Sequence, residues 1–250
     1  MSILNTIRTR INQTDDFLSH LKAIERENAL GIKLYGDLST IATARASIYI
    51  MIYNIAEFAL SHCIQDIRTH ISENVDDIGR LHSFWKTDIV NSHFKNALSQ
   101  GTKHTNHIEA IVNFLPGRIE WGNGLDEIPF AGNIDSQTFF RFIKSIDHKW
   151  TPPKSTLGGL ELDAIRKKRN DLAHGRESFE AIGSTVSTDE LKQTLHRIEK
   201  FVTSFVRCLD TYTAKNGFLI RRGSRPHRPP LHPARKPVEP AHSVGHPAGG

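Results

Sequence analysis

Apolar residues recur at helical spacing through most of the first 220 positions, and alternation of the strand type is almost absent. Leu4, Ile7, Ile11, Leu18 and Leu21 follow steps of three, four and seven, which predicts an amphipathic helix ending near Gly31. A second stripe, Leu38, Ile41, Arg45, Ile48, Ile52, Ile55 and Ala59, alternates threes and fours and predicts a helix from about Leu38 to Ile71. Apolar residues also flank this stripe on both sides. A helix apolar nearly all round is the buried centre of a bundle. Its most apolar part, Ile41 to Leu60, approaches the length of a membrane span, but Arg45, Asn54 and Glu57 suit a bundle better than a bilayer.

Shorter helices are expected over Leu81 to Leu98 and His104 to Leu115, followed by a Gly-rich connection from Pro116 to Gly132. Asp135 reads as the N-cap of a helix carrying Phe139, Phe142, Ile143 and Ile146, and Trp150-Thr-Pro-Pro153 ends that segment. Another helix stops at Gly175. Ser187-Thr-Asp-Glu190 is a capping box: the serine bonds the amide three residues on, and the glutamate reaches back. Behind it Leu191, Leu195, Ile198, Val202, Phe205, Leu209 and Tyr212 keep an unbroken four-three spacing, which suits either the bundle core or a dimer seam. The expected fold is an all-α bundle over residues 1–220, with a tail over 221–250.

Charge changes the picture through its location. The net charge is +5, and the tail alone carries Arg221, Arg222, Arg225, Arg228, Arg235 and Lys236 against the single acid Glu239. The tail therefore accounts for the whole excess, and residues 1–220 sum to zero. The tail also holds seven of the eleven prolines, so it is expected to be disordered or locally polyproline-like. It reads either as an RNA tether or as a solubilising extension. Any RNA affinity of the body must come from a local patch such as Arg166, Lys167, Lys168, Arg169 and Arg176.

Cys63 and Cys208 lack metal-site spacing and read as reduced core thiols. His62, His104 and His107 have no cysteine or carboxylate at matching spacing, so neither a metal nor another cofactor is expected. The N-terminus lacks the layout of a secretory signal, which makes a cytoplasmic location the expectation.

The segment Ala164-Ile-Arg-Lys-Lys-Arg-Asn-Asp-Leu-Ala-His-Gly175 carries the chemistry. An imidazole takes and gives protons near neutral pH, and a guanidinium holds charge developing on phosphate oxygens. On one helix Arg169 and His174, five apart, point about 140° away from each other. Asn170 and His174 share a face instead. Arg169 lies on the apolar stripe of Leu162, Ile165 and Leu172, and an unpaired guanidinium is costly to bury. That stripe must therefore border a cleft or a subunit interface. Two such helices across a two-fold axis would bring Arg169 of one chain toward His174 of the other.

The run Arg-Asn-Asp-Leu-Ala-His-Gly resembles the Arg-x4-His signature of the HEPN superfamily, small all-helical proteins that include toxin and phage-defence ribonucleases. Arg169, Asn170 and His174 match it residue by residue. A looser likeness to prokaryotic stand-alone members covers roughly Leu38 to Phe218, with a helix through Arg45, Tyr49, Tyr53 and Glu57 and a Gly-Asn-Ile-Asp turn at Gly132 to Asp135. The resemblance implies a HEPN-like bundle and an endoribonuclease that uses Arg169, His174 and Asn170 at a homodimer cleft. RNA would be the substrate, with an antitoxin or a partner defence protein as a further binder. Arg45, Arg166, Lys167, Lys168 and Arg176 are candidate RNA contacts, although a solvated face or internal polar links also account for them. The other class implied is a non-catalytic RNA- or protein-binding module. Some HEPN toxins are silenced on a tyrosine two residues past the histidine, whereas this chain has Gly175 and Arg176 there.

Overall fold

A computed structural model describes residues 2–31, 37–99, 119–121 and 133–220, with side chains through residue 93 in the second of these ranges. The helix expected over His104 to Leu115, most of the Pro116 to Gly132 connection, His104, His107 and the tail lie outside the described residues. Among those described, the fold is all-α: α1 is Ile3–Ala29, α2 Leu38–Asn74, α3 Ser83–Ser99, α4 Ser136–Ser145, α5 Leu160–Ala173, α6 Phe179–Ser184 and α7 Thr188–Ala214. The one extended feature among them is an isolated antiparallel bridge between Leu81 and Leu219.

The helix starts follow local capping chemistry. Ser2, Asp37 and Ser178 each accept a hydrogen bond from the amide three residues on, at the heads of α1, α2 and α6. Asp135 and Ser187 do so within full capping boxes, closed by Thr138 and Glu190. Both N-termini expected from the sequence stand where the caps place them.

Helix α2 is the centre, packed against α1, α5, α6 and α7. Ile48, Ile52, Ile55 and Ala59 are fully buried, and so are Ala46, Ala56 and Leu60 beside them. This helix is long and apolar enough to cross a membrane by length and composition, but half of its most apolar window is buried inside the protein. Leu38 departs from the expected stripe and is 83 % exposed, because it begins the first turn directly after the Asp37 cap. In α7 every stripe residue from Leu191 to Tyr212 is buried, which assigns that face to the core of this chain. Phe139 of α4 meets Phe201 and Phe205 of α7 edge-on, with ring centroids 5.2 and 4.7 Å apart, and Trp150 packs on the same two rings. Each such fully buried aromatic contributes roughly 1.5–3 kcal/mol.

Two glycines set the position of the candidate helix. Gly159, at the head of α5, has φ +83°, and a Cβ there would lie 2.6 Å from the Phe201 ring. It ties the start of α5 to α7, and an Arg197–Glu161 ion pair joins the same two helices. Gly183 brings the short helix α6 against the backbone of α2, where a Cβ would be 1.7 Å from the Ala42 carbonyl oxygen. Helix α6 carries only six residues and no resolvable apolar stripe, so the sequence pattern did not announce it.

The thiols divide. Cys63 is buried and burial pushes its pKa well up, whereas Cys208 is only half-buried at the core margin, with its Sγ 3.6 Å from the Lys149 carbonyl. Cys208 is thus corrected from a core thiol to a marginal one.

Candidate active site

Helix α5 runs back along α2, with Leu162, Ile165 and Leu172 buried as their stripe predicts. Leu172 joins Ala46 and Ile182 in a small apolar cluster, which fixes the last turn of α5 between α2 and α6. The helix ends in a Schellman motif. The Arg176 amide donates to the Asp171 carbonyl at 2.8 Å, and the Gly175 amide donates to the Leu172 carbonyl at 3.2 Å. Gly175 has φ +63° with nothing within 4 Å of an added Cβ, so glycine is favoured there by backbone conformation alone.

The helix angle turns Arg169 and His174 away from each other. Arg169 is half-buried, with its guanidinium carbon 4.9 Å from the centroid of the fully buried Tyr53 ring. Its Nη1 donates to Asn170 Oδ1 at 3.1 Å. Asn170 Nδ2 in turn donates to Asn133 Oδ1 at 2.8 Å. His174, the C-cap residue, is exposed, and its ring makes no hydrogen bond to a described residue. Arg169 and Asn170 are brought together; the His174 ring is hydrogen-bonded to neither.

The face of α5 that carries Asn170 also holds the segment before α4. Asp163, Arg166 and Asn170 follow one another at spacings of three and four and meet Ser136, Asp135 and Asn133 in reverse order. Asp163 accepts from the Ser136 amide at 2.9 Å and from its hydroxyl at 3.1 Å. Arg166 Nε lies 3.9 Å from Asp135 Oδ2, an ion pair beyond hydrogen-bond reach, and is buried without a hydrogen-bond partner among the described residues. From the other side Tyr53 Oη accepts the Ile134 amide at 3.0 Å. Burial, with Glu57 nearby, raises the Tyr53 pKa against the opposing pull of that amide and of Arg169 and Arg166, so the phenol is neutral at pH 7. Burial also acts to raise the Asp135 pKa, but the Thr138 hydroxyl and amide, with Arg166 and Arg141, together hold it below its ordinary value.

The candidate basic residues differ in how far they are already neutralised. Arg45 pairs with Glu25 at 2.9 Å, both largely buried, and Glu25 also accepts from the Thr188 hydroxyl. Arg45 lines a separate cavity of about 450 Å3 with Glu25, Leu38 and Ser184. Arg166 faces Asp135, and Arg176 lies 3.6 Å from Asp171. Lys168 has its Nζ 6.0 Å from the Tyr49 ring centroid, and Lys167 is exposed. Among the described residues, Lys167, Lys168, Arg169 and His174 are the motif-region bases without a carboxylate partner. No group of three or more His, Cys, Asp or Glu side chains there is arranged to hold a metal ion.

Tyr53 and Asn133 are the structural partners that sequence reasoning left without a role at the motif. Tyr53 stands eight residues after Arg45 on one face of α2, a visible spacing. Asn133 is the asparagine of the Gly-Asn-Ile-Asp turn before α4, a local signal that marks the turn but does not tell which helix face its side chain meets.

The profile of the RiboL-PSP-HEPN family matches residues 8–211. The chain belongs to that family. The match spans the bundle from the first turns of α1 to the end of α7 and includes Arg169, Asn170 and His174. Family membership identifies the chain as a nuclease or an RNA-related module of the HEPN superfamily. No curated protein and no solved structure matches the chain.

Proposed function

We propose that this HEPN protein is an endoribonuclease of the toxin or phage-defence type, which cleaves RNA by attack of a ribose 2′-hydroxyl and leaves a 2′,3′-cyclic phosphate and a 5′-hydroxyl. The observation that carries this reading is the contrast within one motif. Arg169 is held over Tyr53 with no carboxylate partner among the described residues, while His174 is exposed at the helix end five residues on. The imidazole of His174 would take the 2′-proton, and the alkoxide would form its bond to phosphorus as the bond to the 5′-oxygen breaks. Arg169 would stabilise the charge on the phosphorane oxygens, and Asn170 would orient the phosphate. A general acid returns a proton to the leaving oxygen. Because one helix turns Arg169 away from His174, the site in this reading forms at a homodimer cleft, where His174 of the partner subunit supplies that proton. The protein would act in the cytoplasm, restrained by an antitoxin or engaged with another defence protein.

The engagement of Asn170 with Asn133 and of three candidate arginines with carboxylates favours one alternative, a non-catalytic RNA- or protein-binding module. One experiment separates the two. Purified protein is incubated with total RNA and chelator beside His174→Ala and Arg169→Ala. Cleavage by the wild type, lost in both variants and yielding cyclic-phosphate ends, is the expected result. Equal cleavage by all three removes the site, and RNA binding without cleavage selects the module.

A further inference from the structure

The hydrogen-bond chain that begins at Arg169 has a defined direction. A guanidinium has donors only, so the Asn170 atom facing it must be the carboxamide oxygen. That choice turns the Asn170 nitrogen toward Asn133. The Asn133 atom that receives it must be an acceptor, its Oδ1, at 2.8 Å. The remaining end of Asn133, its Nδ2, therefore carries two N–H donors at the exposed end of the relay. The positive charge at the head of the chain polarises both amides in the same sense, which strengthens the terminal donor.

The residue is also held in place. Its neighbour Ile134 is buried and gives its amide to Tyr53 Oη, and Asp135 and Ser136 are bound to α5. Asn133 is thus an exposed donor beside an anchored segment, joined through one side chain to Arg169, which lies over an aromatic ring with no carboxylate partner among the described residues.

On the reading of function above, we infer that Asn133 is a further RNA-contacting residue, whose Nδ2 donates to a non-bridging oxygen of an RNA phosphodiester beside the one held by Arg169. The sequence motif does not contain it. It reaches the motif only because α5 presents Asp163, Arg166 and Asn170 as one strip to the segment before α4.

The test uses the full chain and a 2′-O-methyl RNA oligonucleotide, which cannot be cleaved by 2′-hydroxyl attack, with binding read by fluorescence anisotropy. Asn133→Asp keeps an oxygen for Asn170 to donate to but replaces the outward donor by an acceptor. Asn133→Ala removes the donor without adding charge. Both variants should melt with the wild type, since the residue is exposed. Asn133→Ala should weaken binding about tenfold and Asn133→Asp more, consistent with loss of a charge-assisted hydrogen bond. Binding within twofold of wild type by either variant overturns the assignment. Wild-type protein that binds and cleaves RNA beside an unaffected Asn133→Asp overturns this inference alone. Wild-type protein that neither binds nor cleaves removes the functional reading and this inference with it.

Discussion

Arg68 and Arg169 both place a guanidinium over an aromatic ring, and they differ in what neutralises the charge. Arg68, on α2, is 2 % exposed and makes a two-pronged pair with Asp88 of α3, at 2.9 Å through Nε and 2.8 Å through Nη2. Trp121 covers it at 5.6 Å and donates its own Nε1 to Asp88 at 2.8 Å. That arginine is consumed by the fold, because a charge so fully removed from water requires its counter-charge beside it. Arg169 has a ring at 4.9 Å and one neutral amide oxygen, and no carboxylate pairs with it among the described residues. Half-exposure lets it keep part of its hydration, and the positive charge remains available to an anion. Arg45 falls between them, paired with Glu25 but lining a cavity. Candidate phosphate ligands in such a bundle are therefore sorted less by burial than by the missing carboxylate.

The strongest challenge to this contrast is Asp88→Ala. It leaves a buried guanidinium without its carboxylate and Trp121 Nε1 without its acceptor, and should cost about 3–5 kcal/mol in urea unfolding or prevent folding outright. A loss below about 1 kcal/mol would mean that the Asp88 carboxylate is not what holds Arg68 in the fold, and the contrast between the two arginines would no longer rest on that pair.

Arg169→Ala should behave in the opposite way. Losing a half-exposed cation over a ring costs on the order of 1 kcal/mol or less of stability. RNA cleavage should nonetheless fall by about 100-fold or more, the effect of removing one stabiliser of transition-state charge. A variant that unfolds as readily as Asp88→Ala would place Arg169 with the structural arginines.

Tyr53→Phe tests the support beneath Arg169 while leaving the ring in place. The fully buried hydroxyl accepts the Ile134 amide at 3.0 Å, so its removal strands that buried donor and should cost about 1–3 kcal/mol. Cleavage should fall further than stability at low denaturant, since the segment carrying Asn133 loses one of its anchors. Unchanged cleavage would show that this segment takes no part in the site.

The comparison also shows why some of the site could be read from the chain and some could not. The stripes of α1, α2, α4 and α7, and the caps at Asp135 and Ser187, are local: period and capping chemistry act within a few residues, and burial follows them. The turning apart of Arg169 and His174 is likewise a property of helix angle alone. Arg68 is different. It sits at a helical position like any other, and only the arrival of Asp88 and Trp121 from 20 and 53 positions away makes it structural. Asn133 reaches Asn170 across 37 residues, and α6 docks on α2 through one glycine. Such pairings depend on which helices become neighbours, and periodicity fixes a face of each helix without naming what lies opposite.

The smallest effect is expected at a carboxylate that lacks what Asp88 has. Asp210, on α7, makes no ion pair with a described residue; partial burial first, and then the nearby Asp66, raise its pKa above its ordinary value. A carboxyl whose folded pKa is raised favours folding only where it is protonated, and that advantage is lost as pH rises through the folded value. At neutral pH the charged Asp210 is therefore mildly unfavourable. Asp210→Asn should raise the melting temperature at pH 7 by on the order of a degree, the small size following from solvent screening of a largely exposed group. The gain should vanish below about pH 4, where the wild-type carboxyl is protonated in both states. Asp66→Asn should give a smaller gain of the same sign, because it relieves the repulsion and leaves the burial. A fall in melting temperature for Asp210→Asn at pH 7 would mean that a cation neutralises this carboxylate as Arg68 neutralises Asp88, and the distinction between paired and unpaired charges would have to be redrawn at that point of the bundle.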